Sequence, residues 1–425
     1  MRYLADTLYP LSQQLRHFIR HYRETVTNYL NSQISLNTLS QLSTMIAKTI
    51  RAGGNIYICG NGGSHAIVRQ FESSLLEALA DSPHPVRLRW GVDFHASQAI
   101  VRRHGYDQIF KQLLSQEQAG PRDLALLVSG SGNSTNLMVA AAYCREHAIP
   151  SVGMAAFHGG QLCEPGVVDL PIAVDIDDQQ IGEDVVQSLL QISAWHSAAL
   201  LHGKDRKLAD IKKYYLNMLD AGYEQLDPEL LTTIGAAVSD AYLNGRRVYV
   251  LAPEGGGVSL SAEHVAHNLN WDAVYEIRTP PPRYLTSTPS GCDFSGIGND
   301  RFLAGVVSCQ QLSVAAPNDV LIVFAVDAFE PAVQETITYG HSRRMQIFRF
   351  SGKGPKHNES QLSFEVGNRS VVADLCQTAG HMLGRVVRLT LKMHEDGALP
   401  HADLLSYLVN DDLAQRRLLH VVDGV

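Results

Sequence analysis

Two glycine-rich loops carry the residue types that could hold a phosphate group. Residues 59–64 read CGNGGS, and residues 129–134, the serine loop, read SGSGNS. Glycine lets the backbone come close to a ligand, and three serine hydroxyls suit the three oxygens of a phosphomonoester. The first loop has neither the GxGxxG spacing of dinucleotide sites nor the lysine of a P-loop, so alone it is equally well explained as a tight turn. Two such loops together are a more specific signal for an anion.

Each loop lies between a predicted strand and a predicted helix. Residues 55–59 (NIYIC) and 123–128 (DLALLV) are short apolar runs typical of buried parallel strands, and helical spacing follows both loops. In an open α/β sheet, ligands bind at the carboxyl ends of the strands, where helix N-termini offer free N–H groups and a positive dipole end. We therefore expect the two loops to lie side by side and form one anion site.

The order of elements in the first half of the chain returns in the second half. Gly63 and Gly257 lie 194 positions apart, and Asp123 and Asp319 lie 196 positions apart. This spacing indicates an internal duplication with a period of about 195 residues. In the second half, the first strand corresponds to 247–251, its glycine turn to 255–257 and the following helix to 259–269. Two later strands correspond to 319–325 and 346–350.

Strands that alternate with helices predict parallel sheets covered by helices on both faces. The expected fold is α/β, with two tandem three-layer αβα domains, each with a parallel sheet flanked by helices. The polar stretch 202–206 marks the boundary, so the domains are expected at 1–204 and 205–425.

Composition excludes several classes of protein. The chain has 425 residues, of which 45% are hydrophobic and 18% charged, and its formal net charge is −8. This balance is typical of a globular protein and unfavourable for binding nucleic acid or anionic membranes. The sequence contains no apolar run of about 20 residues, no apolar signal segment and no CxxC pair among its six cysteines. We expect a cytoplasmic protein with reduced thiols and with neither nucleic-acid nor membrane partners.

Four segments resemble a known family. They are GGNIYICGNGGS (53–64), GYDQIF (105–110), DLALLVSGSGNSTN (123–136) and the predicted helix after Gln180, and the resemblance spans about residues 35–200. They are similar to the sugar isomerase (SIS) domain, most of all in the phosphoheptose isomerase branch. The resemblance implies SIS-type domains, a sugar-phosphate ligand, and aldose–ketose isomerisation of sedoheptulose 7-phosphate or a related sugar. It also implies a homo-oligomer, a dimer or a tetramer, with sites at subunit interfaces.

Carried over position by position, the resemblance assigns a set of substrate-binding residues but no acid/base pair in the first half. The family's histidine and glutamate base on the helix after the first loop fall on Gln70 and Ser74, and its late-helix glutamine and histidine fall on Gly182 and Leu190. The first half therefore resembles a phosphosugar-binding site without its catalytic residues. The substrate-binding residues are Asn61, Gly63, Ser64, Asp93, Ser129, Ser131, Asn133 and Ser134.

The second half shows the reverse pattern. Residues 325–330 (AVDAFE) answer the serine loop without any hydroxyl, and Asp327 and Glu330 would repel a phosphate. His264 falls on the family's first-helix histidine and His381 on its late-helix catalytic histidine, so both are predicted as catalytic. A buried core histidine is the alternative explanation for each.

A metal site is less well supported. Some phosphoheptose isomerases hold zinc through two histidines, a glutamate and a glutamine, and only His264 and His381 match; Asn268 stands at the glutamate position. His267 and Glu263 lie beside them on the same predicted helix, but two histidines do not make a zinc site. We assign no metal ligand and no certain cofactor, and leave zinc open.

Three functions agree with these residues. In the first, the chain is an isomerase with a composite site, in which the serine loops hold the phosphate and His381, from the same or another chain, takes part in proton transfer. A histidine would then replace the missing glutamate base. In the second, a non-catalytic SIS pair senses a sugar phosphate or organises an assembly. A purely structural scaffold is the third and least favoured, because the serine loops are intact.

Overall fold

The computed structural model describes residues 2–90, 94–204, 206–274, 277, 284–286, 311–355, 360–396 and 408. Contacts divide these residues into two compact units. The serine-loop unit contains residues 25–216, and the histidine unit contains the described residues of 1–24 and 217–410. These units follow packing, whereas the bounds 1–204 and 205–425 follow the sequence repeat and stay a prediction.

The chain begins with helix α1 (Arg2–Asn28), and the serine-loop unit then alternates strands with helices. Its elements are α2 (Leu36–Arg51), β1 (Ile56–Gly60), α3 (Gly63–Ala78), β2 (Leu88–Trp90), α4 (Phe94–His104), α5 (Ile109–Gln116), β3 (Leu124–Ser129), α6 (Thr135–Glu146), β4 (Ser151–Ala155), β5 (Leu170–Ala173) and α7 (Gln179–Leu201). The five strands pair in parallel in the order β2-β1-β3-β4-β5.

The central strands of this sheet are buried along their whole length. Every residue of β1 and β3 is buried, as continuous apolar runs predict for parallel strands with both faces covered. On one face, Tyr57 and Leu127 pack against Phe110 of α5 and Leu137 of α6. Helices α2 and α3 each pack against α7 and against β1 and β3, and α7 also packs against β4. The serine-loop unit therefore has three layers.

The histidine unit repeats this arrangement. Its elements are α8 (Leu208–Tyr223, whose first residues belong to the serine-loop unit), α9 (Pro228–Leu243), β6 (Arg247–Leu251), α10 (Gly257–Asn270), β7 (Tyr284–Thr286), β8 (Val320–Asp327), α11 (Pro331–Ser342), β9 (Gln346–Lys353), β10 (Gln361–Ser363) and α12 (Arg369–Asp396). The strands pair in parallel in the order β7-β6-β8-β9-β10. This order matches β2-β1-β3-β4-β5 of the first sheet, strand for strand.

A buried aspartate makes the same contacts in each unit. Asp123 accepts hydrogen bonds from the backbone N–H groups of Asn55 at 2.7 Å and Gly120 at 2.8 Å. Asp319 accepts one from Arg247 N–H at 3.0 Å and one from a loop amide at 2.8 Å. Each carboxylate thus fixes the start of the first central strand next to the second. The predicted α/β fold with two parallel sheets flanked by helices is confirmed.

Among the described helices, none has both the length and the apolar character that crossing a membrane requires.

Candidate anion-binding site

The serine loop connects β3 to α6 and retains hydrogen-bond donors. Ser129 Oγ accepts a hydrogen bond from Gly132 N–H at 2.9 Å, and Ser131 Oγ accepts one from Asn133 N–H at 3.3 Å. Because a hydroxyl that accepts still carries its own hydrogen, these side chains can also donate. Ser134 Oγ lies 3.3 Å from Ser129 Oγ. A cluster of hydroxyls therefore lines the start of α6.

Two backbone N–H groups of the loop add to these donors. The amides of Gly130 and Ser131 donate to no acceptor among the residues that the structure describes. Ser134 is the N-cap of α6, and its side chain forms no capping hydrogen bond. An anion over this loop would meet backbone amides, hydroxyls and the positive end of the helix dipole.

A neighbouring stretch of backbone holds the serine loop in one conformation. Gly132 has a φ of +70°, and a Cβ at this position would lie 2.0 Å from the carbonyl oxygen of Gly159. A Cβ at Gly160 would lie 2.4 Å from the carbonyl oxygen of Ser131. Leu162 N–H donates to the Gly132 carbonyl at 2.9 Å. Only glycine fits at positions 132 and 160, so backbone packing sets the shape of the loop.

Asn133 is used to build this loop. Its Oδ1 accepts a hydrogen bond from Gln161 N–H at 3.1 Å, and its Nδ2 donates to the carbonyl oxygen of Ser131 at 3.1 Å. Its contacts are therefore those of a residue that positions the hydroxyls. Asp93, the other polar residue assigned to the sugar, lies outside the described residues.

Asn61 ties the first loop to α6. Its amide and the amide of Asn136 exchange two hydrogen bonds of 3.0 Å, and the Tyr106 hydroxyl donates to Asn61 Oδ1 at 2.8 Å. One N–H of the Asn61 amide is left for another acceptor. The sequence reasoning missed Asn136 and Tyr106, although Tyr106 lies inside the GYDQIF segment that carried the resemblance.

Ser64 adds a hydroxyl from the neighbouring strand–helix junction. Helix α3 begins at Gly63, after Gly62 with a φ of +52°. Ser64 is buried, and its hydroxyl has no hydrogen-bond partner in the described part of the chain. Strands β1 and β3 are neighbours, with Gly60 paired to Val128. The two loops therefore lie at the same edge of the sheet, as expected.

A buried carboxylate lies beside the serine loop, and sequence reasoning missed it. A Cβ at Gly130 would lie 2.8 Å from Gln179 Nε2 and 3.3 Å from Glu183 Oε1. Gln179 Nε2 donates to Glu183 Oε1 at 3.0 Å, and Glu183 is only 6% exposed. Both residues lie on one face of α7, four positions apart. The sequence signal that could have found this pair is the four-residue spacing of Gln179 and Glu183 in the first turns of α7.

The polar side chains that α7 contributes are not those at Gly182 and Leu190, the positions that the resemblance assigned to the family's late-helix residues. Ser74 Oγ donates to Gln191 Oε1 at 2.5 Å, and both residues are buried. Leu190 is part of the apolar core, and a Cβ at Gly182 would lie 2.8 Å from a backbone carbonyl just beyond β4. Glu183 and Gln191, each one position later, provide the polar side chains.

The histidine unit brings its two candidate catalytic residues together. The rings of His264 (α10) and His381 (α12) are perpendicular, with centroids 5.0 Å apart, and both are fully buried. Tyr22 Oη lies 3.4 Å from His381 Nδ1. Gly380 allows the close helix contact, because a Cβ there would lie 2.0 Å from Val265.

Comparison with known proteins identifies the family of the first half. Residues 17–155 match the family model of the SIS domain. This part of the chain is a SIS domain. A phosphoheptose isomerase of Salmonella paratyphi B is 27% identical over 161 residues, which cover 38% of this chain and 82% of that protein.

Solved structures match both SIS-type units. The C-terminal domain of glucosamine-fructose-6-phosphate aminotransferase from Francisella tularensis superposes with a TM-score of 0.58 at 12% identity, covering 89% of this chain and 96% of that one. A putative sugar binding protein from Salmonella typhimurium LT2 gives 0.54 at 15% identity, covering 87% and 99%. These likenesses establish the fold of two tandem SIS-type αβα domains.

Proposed function

We propose that this chain is a sugar-phosphate isomerase whose serine loop binds the phosphate of its substrate. SIS domains bind sugar phosphates, and the curated relatives are phosphoheptose isomerases. The observation that carries the proposal is the group of donors at one sheet edge. The open amides of Gly130 and Ser131 lie beside the serine hydroxyls at the start of α6.

The phosphate would be held by donors from both loops. Ser64, Ser129, Ser131 and Ser134 supply hydroxyls, and Gly63 lets α3 begin close to the ligand. Hydrogen bonds to an ionised phosphate are roughly twice as strong as neutral ones, so several such donors give a specific grip. Asn61 supplies its remaining N–H or acts by positioning the first loop.

Aldose–ketose isomerisation moves a proton between adjacent carbons. It requires a base for the carbon-bound proton and an acid near the carbonyl oxygen, with the phosphate as the anchor that orients the sugar. The proposed substrate is sedoheptulose 7-phosphate or a related sugar phosphate, because phosphoheptose isomerases are among the relatives of this chain.

Glu183 is our candidate for the base. Its buried carboxylate lies next to Gly130 of the serine loop. Gln179 donates to it and fixes its orientation. A carboxylate there supplies what Ser74 and Asn268 cannot supply at the family's glutamate positions.

His264 and His381 remain candidates for proton transfer at the oxygen atoms. A histidine can act as a base when neutral and as an acid when protonated near neutral pH, and the centroids of the two rings lie 5.0 Å apart. We expect His381→Gln to lower turnover at least 100-fold, within the range of general acid–base contributions, while the circular dichroism melt stays cooperative. Full activity in a folded His381→Gln variant would remove this residue from the mechanism.

An NMR time course with sedoheptulose 7-phosphate tests the reaction. We expect an aldoheptose phosphate to appear with the native protein, and Glu183→Gln to slow turnover by roughly 10²–10⁴-fold without loss of substrate binding. Glu77→Gln, an exposed carboxylate on α3, is the matched control and should react like the native protein. Native-like turnover in Glu183→Gln would reject it as the base.

A non-catalytic sugar-phosphate sensor is the second candidate. Ser74 occupies the family's base position, and its hydroxyl is engaged with Gln191 rather than with a substrate. Saturable shifts of the phosphate resonance without any product, in the same time course, would favour this function.

A further inference from the structure

The histidine unit has the same pair of loops at its sheet edge, with different side chains. Residues 253–258 (PEGGGV) follow β6, and residues 325–330, the acidic loop, end β8 and precede α11. Helix α10 begins after Gly256 with a φ of +69°, just as α3 begins after Gly62 with a φ of +52°. The backbone of a second anion site is therefore retained.

A carboxylate of the chain itself occupies the amides of this second site. Glu254 Oε2 accepts a hydrogen bond from Val326 N–H at 2.8 Å, and Glu254 Oε1 accepts one from Asp327 N–H at 2.9 Å. The equivalent amides in the serine loop, those of Gly130 and Ser131, meet no acceptor among the described residues. The two loops thus differ in whether their paired amides are already bound.

The side chain that makes these bonds has no counterpart in the serine-loop unit. Counting back from the helix starts at Gly63 and Gly257, Glu254 corresponds to Gly60, which has no side chain. Burial raises the pKa of Glu254, and the two backbone hydrogen bonds together with Arg369 act in the opposite direction. The contact therefore combines a partly buried carboxylate with two donors aimed at it.

A second carboxylate replaces a hydroxyl inside the acidic loop. Asp327 Oδ1 accepts a hydrogen bond from Phe329 N–H at 2.9 Å, as Ser131 Oγ accepts one from Asn133 N–H. Lys353 Nζ lies 3.1 Å from Asp327 Oδ2. The acidic loop thus keeps the internal bond of the serine loop but carries a negative charge at that position.

We propose that Glu254 is a built-in substitute for a phosphate, which keeps a latent phosphomonoester site in the histidine unit closed. Two parallel N–H···O bonds to one carboxylate reproduce the way such a loop holds an oxyanion. Because Glu254 is tethered to the loop, a free phosphate competes against a high effective concentration of carboxylate. The chain therefore binds one sugar phosphate and not two.

Stoichiometry tests this inference. In equilibrium dialysis with sedoheptulose 7-phosphate, the native chain should bind one equivalent. The triple variant Glu254→Gly, Asp327→Ser, Glu330→Ser, which copies the serine-loop unit, should bind two. The matched control keeps Glu254 and changes only Asp327→Ser and Glu330→Ser; it should still bind one equivalent, because Glu254 continues to occupy the amides.

Hydrogen exchange provides a second measurement that does not depend on the first site. The amides of Val326 and Asp327 should be protected in the native protein and exchange faster in Glu254→Gln, because the uncharged side chain can accept at only one atom. Inorganic phosphate should restore protection in the triple variant. Two equivalents bound by the native chain, or no added binding by a folded triple variant, would overturn the proposal.

These tests also separate the inference from the proposed function. In the background Ser131→Ala, Ser134→Ala the first site is weakened, and the triple variant should still gain one equivalent. A native chain that binds none, together with a triple variant that binds one, would reject the serine-loop site and uphold the role of Glu254.

Discussion

At the scale of single residues, we expect His158 to make the segment that supports the serine loop sensitive to pH. Its Nδ1 lies 2.5 Å from Asp175 Oδ1, and its Nε2 lies 2.8 Å from Asp177 Oδ1. The pKa of His158 is raised, first by its hydrogen bond to Asp175 and then by that to Asp177, against the opposing effect of burial. His158 directly precedes the two glycines that pack on the loop.

The direction of the effect follows from this raised pKa. The contribution of His158 to stability is complete below the pKa of the unfolded chain, about 6.5, and is lost as pH rises through the higher folded value. Because 42% of the side chain is exposed, solvent screening keeps it small. We expect the difference in melting temperature between the native protein and His158→Asn to shrink as pH rises. Parallel melting curves at all pH values would contradict this.

Some site residues could be found from the sequence and others could not. Hydroxyls and glycines in consecutive positions mark the serine loop, because a local turn depends on neighbouring residues. Asn136 lies 75 positions from Asn61, and no local pattern in the sequence indicates that the two side chains meet. The filled site at Glu254 was equally invisible: the sequence showed carboxylates that repel phosphate, and the structure showed one that replaces it.

At the scale of elements, the contact between the serine loop and the turn at 159–160 determines whether the site can form. Gly132→Ala would place a Cβ in a left-handed conformation and 2.0 Å from a carbonyl oxygen. Strain of the first kind costs about 1–2 kcal/mol, and the clash adds to it. We expect this variant to lose phosphate binding and to unfold at lower denaturant concentration.

Gly166→Ala provides the matched control for that prediction. Gly166 has a φ of +82°, but no heavy atom lies within 4 Å of a Cβ there. The Gly166→Ala variant should lose only the stability that the left-handed backbone conformation costs, and it should keep phosphate binding. Equal losses of stability and binding in both variants, measured by urea unfolding and calorimetry, would show that the close approach is unimportant.

Helix register was the element-scale feature that the sequence left uncertain. The apolar runs of β1 and β3 and the glycines after them predict the sheet edge, because buried parallel strands have a strong local signal. Helix α7 is buried on nearly all sides, so its pattern does not show which face meets α3. Packing selects Gln191 rather than Leu190, and tertiary contacts alone decide such a one-residue shift.

At the scale of the whole molecule, one fold is used twice with opposite loop chemistry. Both sheets have the same strand order, and the same buried aspartate anchors each. The paired amides of the serine loop are open, whereas those of the acidic loop donate to the carboxylate of Glu254 in the preceding loop, 253–258. The repeat could be predicted from the sequence, because the same glycine turn and the same aspartate recur in each half about 195 positions apart.

The resemblance also predicts assembly. The resemblance implies a homo-oligomer, and we predict that this chain forms a dimer or a tetramer. Sedimentation equilibrium at several concentrations would test this, and a monomer at all of them would contradict it.

Calorimetric titration with sedoheptulose 7-phosphate tests the central claim, that the serine loop binds the phosphate of a sugar. We expect saturable binding to the native chain, and a loss of about 1–3 kcal/mol for each of Ser131→Ala and Ser134→Ala, because each removes a charge-assisted hydrogen bond. Ser115→Ala, an exposed serine at the end of α5, should bind like the native chain. Unchanged affinity in both loop variants would show that the phosphate binds elsewhere.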